Sequence, residues 1–126
     1  MGWKIVLADP SPVMRRWQRL AVAPIGGQVF EVDDGLELLS VVAEHGPFDL
    51  VVCNRSLTSI TGDHVLTMMR TAGDQTPFLL IAPFCRRSVR SLIHKLGNAS
   101  VLDDPLDGAE LLRMAKSLIA ECHMAA

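Results

Sequence analysis

Short apolar runs of strand length alternate with segments of helical period from one end of this chain to the other. The economical way to bury both is a parallel sheet covered by helices on its two faces. Residues 4–8 (KIVLA) form the first run, and Ser11 with Pro12 suits a helix N-terminus. Val13, Trp17, Leu20 and Ala21 then recur at helical spacing until Pro24 and Gly26-Gly27. Residues 29–32 read as a second strand, followed by a helix capped by Asp33 or Asp34 through Leu36, Leu39 and Ala43 to Gly46-Pro47. The third strand is FDLVVC at 48–53. A Ser/Thr-rich loop over 56–61 leads through Gly62 into a helix with Val65, Leu66, Met69 and Ala72. TPFLLIAP at 76–83 gives a fourth strand, and Val89, Leu92, Ile93 and Leu96 a helix stopped by Gly97. Residues 99–102 make a brief fifth strand. From about Gly108 a last helix carries Leu111, Leu112, Ala115, Leu118, Ile119 and Cys122 on one stripe. Right-handed crossovers leave few topologies for five βα units. The expected fold is α/β, a flavodoxin-like three-layer (βα)5 sandwich with a parallel sheet in the order 2-1-3-4-5.

The 126 residues suit a single domain over 1–126 with no output domain, large enough to need neither disulfide nor structural metal. A hydrophobic content of 49% fits strands buried on both faces. No apolar run reaches the roughly 18–20 residues of a membrane span, and the N-terminus carries neither a cleavage pattern nor a myristoylation signal. The expectation is a cytoplasmic protein without a membrane partner. A net charge of −2 argues against a polyanion-binding molecule as a whole. Cys53, Cys85 and Cys122, with His45, His64, His94 and His123, lie at no metal-ligand spacing, so reduced, structural thiols are expected.

Several landmarks in register resemble response-regulator receiver domains: IVLADPSPVMRR for the first strand, acidic turn and helix; FDLVVCNRSLTSITG for the third strand and its loop; TPFLLIAP for the fourth; LGNASVLDDPL for the fifth strand and the turn after it. The resemblance implies a site at the carboxyl ends of the strands, and also shows that site altered. The acidic pair that holds Mg²⁺ becomes Asp9 and Pro10, and the phosphoacceptor aspartate becomes Asn54. The switch residues become Ala82 and Val101; the lysine becomes Asp104, before Pro105, whose peptide bond the resemblance expects to be cis.

Phosphorylating a receiver needs a carboxylate oxygen to attack phosphorus while a divalent cation offsets charge on the transferring group. The amide of Asn54 is a very poor nucleophile, Asp9 alone is a weak metal candidate, and Asp104 sets a negative charge where an ammonium would meet the phosphoryl oxygens. Ala82 lacks the hydroxyl and Val101 the ring. Arg55 is a candidate counter-charge between Asp9 and Asp104; the plainer reading makes Arg55, Asp103 and Asp104 solvated loop residues.

The resulting expectation is a non-enzymatic, stand-alone, receiver-like module of two-component or phosphorelay signalling, independent of phosphorylation, needing no cofactor and acting through protein–protein contacts. Arg86, Arg87, Arg90, His94 and Lys95 on the fourth helix, beside Asp103, Asp104, Asp107 and Glu110, are candidate interaction residues. A homodimer through helix 4, strand 5 and helix 5 is one form of it. Nucleic acid is not an expected partner, because no aromatics interleave with these cations. Trp17, Met68 and Met69 read as core fillers. Two alternatives stand beside this reading: a receiver phosphorylated at a non-aspartate site such as Ser56 or Thr58, and a flavin-binding redox protein of the same topology, against which the prolines of ADPSPVM speak.

Overall fold

Five strands, Lys4–Ala8 (β1), Gln28–Val32 (β2), Leu50–Asn54 (β3), Phe78–Ile81 (β4) and Ala99–Leu102 (β5), pair in parallel in the order β2-β1-β3-β4-β5. Helices Pro12–Val22 (α1), Gly35–His45 (α2), Gly62–Thr71 (α3), Arg87–Leu96 (α4) and Gly108–Ala125 (α5) follow the strands one by one. The computed structural model describes residues 2–103 and 107–125, with backbone alone over 123–125. The architecture is the flavodoxin-like (βα)5 sandwich that the alternating runs predict. Asp104 and the Asp104–Pro105 bond lie outside the described residues; the cis peptide among them is Gly46–Pro47.

Alternate side chains of each strand enter opposite faces of the sheet. Ile5, Leu7, Leu50, Val52, Leu79 and Ile81 pack with Val22 of α1 and Leu111, Ala115 and Leu118 of α5. Val6, Ala8, Val51, Cys53 and Leu80 face the other way, against Leu38 of α2, Val65, Leu66 and Met69 of α3 and Ile93 of α4. Ser11 caps α1, its Oγ accepting from the Met14 N–H at 3.2 Å, and Asp34 caps α2 by accepting from the Glu37 N–H at 2.8 Å.

Three helical faces differ in part from the apolar stripes. On α1, Val13 and Leu20 are 76% and 69% exposed, Trp17 and Ala21 are half-buried, and the inward residues are Gln18 and Val22. The true stripe passes through a glutamine, which a count of apolar residues skips. On α2, Leu38 points inward while Leu36 and Ala43 are exposed. On α4, Val89, Ile93 and Leu96 pack on the core as the spacing predicts, and Leu92 alone of that stripe is exposed at its edge. Met69 fills core as expected, whereas Met68 is exposed.

Arg70 of α3 closes the end of the sheet where β4 and β5 begin. Its guanidinium donates to the carbonyls of Asp74 (2.7 Å), Thr76 (2.8 Å), Gly97 (3.1 Å) and Asn98 (3.2 Å). Burial pulls its pKa down, opposed by the nearby Asp74 carboxylate. A planar fork with several donors suits four converging carbonyls, and an ammonium does not. Arg70→Met therefore destabilises the fold by about 2–4 kcal/mol, and Arg70→Lys recovers less than half of the loss. Urea denaturation checks this, and a midpoint unchanged in Arg70→Met would refute the role.

Candidate functional site at the carboxyl ends of the strands

The register sets Ala8 beside Cys53, Asn54 beside Ile81 and Ile81 beside Leu102. Asp9, Asn54, Ala82 and Asp103 thus emerge at one edge, each at or one step past the end of its strand. Asp9 is 1% exposed. Its Oδ1 accepts from the Ser11 N–H (2.8 Å), and its Oδ2 from Gln18 Nε2 (3.1 Å) and Asn54 Nδ2 (3.0 Å). A buried carboxylate without an ion pair needs such donors. Arg15 donates to the Asp9 main-chain carbonyl at 2.5 Å and, with Arg19, holds Glu31 of β2 at 3.1 and 2.7 Å. Hydrogen bonding from Arg19 leads the causes that lower the Glu31 pKa.

Both ends of the Asn54 amide are engaged, since Oδ1 accepts from the Ser56 N–H at 2.8 Å. That contact and the Asp9 carboxylate fix which end is nitrogen. Gln18 is the site residue that sequence reasoning missed. It is fully buried, and its Oε1 has no hydrogen-bond partner among the described residues. The spacing Met14, Gln18, Val22 is the signal that could have placed it inward. Gly62 brings α3 close under this edge: a Cβ there would lie 2.8 Å from the Asn54 carbonyl oxygen and 2.9 Å from Cys53 Sγ.

Chemically, the arrangement offers no carboxylate nucleophile at position 54. It does not fit a hard divalent cation either. Asp9 is the one carboxylate facing the Asn54 side chain among the described residues, and two amide N–H groups already occupy its Oδ2. Arg55 pairs with Asp63 of α3 at 3.3 Å and not with Asp9, so the candidate counter-charge is not formed with Asp9. Asp103 is exposed and paired with Arg90 at 2.5 Å. Ser56 and Thr58 are exposed. Burial above all, with the charges of Asp9 and Asp63 adding, pushes the Cys53 thiol well above its ordinary range, which makes it an inert structural group.

Ala82 is buried at the end of β4, and Val101 is buried in β5, against a groove of about 300 Å³ lined also by Ile93 and Met114. Arg86, Arg87, Arg90, His94 and Lys95 are all exposed. The acidic residues beside them that the structure describes are engaged within the chain. Asp103 pairs with Arg90, Asp107 accepts from the Glu110 N–H at 3.0 Å, and Glu110 pairs with Arg113.

No family model matches the chain. It is similar to the Regulator of RpoS of Escherichia coli K12, 26% identical over 113 residues that make up 90% of this chain and 33% of that protein. The match to the protein of the same name from Shigella flexneri has the same extent. The chain thus spans about a third of the length of these curated relatives. Among solved structures, the signal receiver domain of a protein described as a Luxo repressor from Vibrio parahaemolyticus superposes with a TM-score of 0.90 at 14% identity, covering 99% of this chain and 95% of that one. A CheY-like response regulator receiver domain protein from Methanospirillum hungatei gives 0.86 at 15% identity, with 100% of both chains covered. The chemotaxis response regulator CheY4 of Vibrio cholerae gives 0.81 at 19%, covering 94% and 99%. At these identities the likeness establishes the fold, and the fold is that of response-regulator receiver domains.

The amide at position 54 is tested by restoring the acid. Asn54→Asp sets two carboxylate oxygens against each other where a 3.0 Å hydrogen bond now lies. One of the pair takes a raised pKa in the folded state. Its contribution is then retained below the unfolded carboxylate range and lost as pH rises through the raised value. The variant loses about 2 kcal/mol or more at pH 7, approaches the wild type near pH 4, and regains stability at pH 7 with added Mg²⁺. Thermal melts across pH check this; equal melting temperatures at pH 7 without Mg²⁺ would refute it.

Proposed function

We propose that the chain is a receiver-like signalling module of two-component or phosphorelay transduction, working through protein contacts in the cytoplasm without phosphorylation at position 54. The observation that carries this reading is the Asn54 Nδ2–H···Oδ2 Asp9 bond, an amide–carboxylate pair standing where attack on phosphorus and metal binding would have to occur. Neither partner is free for that chemistry, and the receiver fold around them is intact. The name of the curated relative, a regulator, supports a regulatory role; the target is a proposal of its own because the match covers a third of that protein.

Ala82 and Val101 support the same reading, because neither offers a hydroxyl or a ring through which a phosphoryl group could be sensed. Binding then depends on a surface present at all times. A second copy meeting through α4, β5 and α5 is one candidate partner, although Asp103, Asp107 and Glu110 already have intrachain partners. No helix among the described residues is long and apolar enough to cross a membrane. The partner class that suits an exposed, charged helix beside an apolar groove is another protein.

Beryllofluoride with Mg²⁺, and separately acetyl phosphate, are added to the ¹⁵N-labelled protein. Backbone resonances of Asp9, Asn54, Ala82 and Val101 are expected to stay in place. Shifts concentrated at these residues would end the phosphorylation-independent reading. Mass spectrometry of the acetyl phosphate sample reads Ser56 and Thr58 at the same time, and no added phosphate is expected.

A further inference from the structure

Trp3, just before β1, and the short turn Ala23–Ile25 that follows α1 face the middle of α5 across a cavity of about 320 Å³. Its lining is Trp3, Pro24, Ile25, Ile119 and Ala120, with Lys116 the one charged member among the described residues. The walls are held from behind. The Gln28 N–H donates to the Trp3 carbonyl at 2.7 Å. Gly27, at a φ of 98°, lets the chain come so close that a Cβ there would lie 2.1 Å from that carbonyl oxygen. Trp3 and Ile25 pack against the core that α1 and α5 share with the sheet, and Ile119 belongs to that core at 6% exposure. The cavity is therefore built into the fold. It lies beside the amino end of β1, whereas Asp9 and Asn54 stand at the carboxyl ends of their strands.

We propose that this cavity binds a small bicyclic aromatic carboxylate, its rings against Trp3, Ile25 and Ile119 and its carboxylate on the Lys116 ammonium. The proposal goes beyond the reading of the chain as a receiver-like module and does not depend on it. Size and lining select the occupant. Ligand sites run from roughly 300 to 1,000 Å³, so this one sits at the small end. Apolar walls favour a hydrocarbon body, and the Trp3 indole offers a flat surface for an aromatic ring. Lys116 is exposed and has no carboxylate partner among the described residues, so an anion meets it without breaking an existing ion pair. A partner helix would need an apolar row that runs on past the cavity. The exposed α5 residues around it, Arg113, Ser117 and Glu121, are polar instead. A nucleotide would find one cation for its phosphates and no second among the described lining residues.

The test titrates the ¹⁵N-labelled full chain with 2-naphthoate and, separately, with the neutral 2-naphthalenemethanol and the ring-free octanoate. Saturable shifts from 2-naphthoate are expected at the Trp3 indole N–H and at the amides of Ile25, Lys116, Ile119 and Ala120. Half-saturation falls at about a millimolar or below, as suits so small a ligand. The alcohol and octanoate each bind about threefold or more weakly. Lys116→Gln brings 2-naphthoate down to the level of the alcohol. Ala120→Leu keeps a good helix former on an exposed position while filling the cavity, so the melting temperature stays level and affinity falls about tenfold or more. Leu36→Ser on α2, across the sheet, leaves binding unchanged. Absence of saturable shifts, shifts centred elsewhere, an alcohol or octanoate that binds as tightly, or binding that survives Ala120→Leu overturns the proposal. So does movement of the same resonances with protein concentration alone, which would make the cavity a contact between copies. None of these outcomes touches the beryllofluoride result, which reads the other end of the sheet.

Discussion

The hydrogen bond between Asn54 and Asp9 joins the ends of the central strand β3 and its neighbour β1, and the upper edge of the sheet is organised around it. A carboxylate that is 1% exposed survives only if its oxygens are met by donors. Here the donors come from three places: the turn into α1, the inner face of α1, and the last residue of β3. The same contacts that solvate Asp9 fix the start of α1 and the direction in which the chain leaves β3. Chemistry and architecture are therefore linked, because whatever makes Asp9 available to a ligand must first take apart a structural joint.

Arg70 plays the corresponding part at the opposite end, with cation and acceptors exchanged: one guanidinium collects four main-chain carbonyls where β4 and β5 begin. Both groups are charged, and both are satisfied by neutral partners rather than ion pairs. Such arrangements hold geometry with little dependence on ionic strength, unlike the exposed pairs of α4 and α5. The core of the domain is thus insulated from the solution conditions to which its charged outer helices respond.

The strands were legible because runs such as KIVLA and FLLI are apolar on both faces, which only a covered parallel sheet explains. Helix ends were legible from Ser11, Asp34 and Gly97. Helix faces were less so: Val13 and Leu20 are apolar yet exposed, and Gln18 is polar yet buried, so apolar periodicity turned α1 from its true orientation. At the site, the sequence could place Asp9 and Asn54 on neighbouring strand ends through resemblance. It could not show that the amide nitrogen faces the carboxylate, that Gln18 joins them, or that Arg55 turns to Asp63 instead. These depend on side-chain direction across elements distant in the chain.

Cys53 lies directly beneath this joint, sealed between β3 and the start of α3. Its sulfur has no route to solvent in the folded molecule, whereas Cys85 and Cys122 are partly accessible. A thiol reagent will mark those two quickly and reach the third only when α3 lifts from the sheet. The rate of that last modification is a clock for the opening of the strand edge, built into the chain and readable without a label.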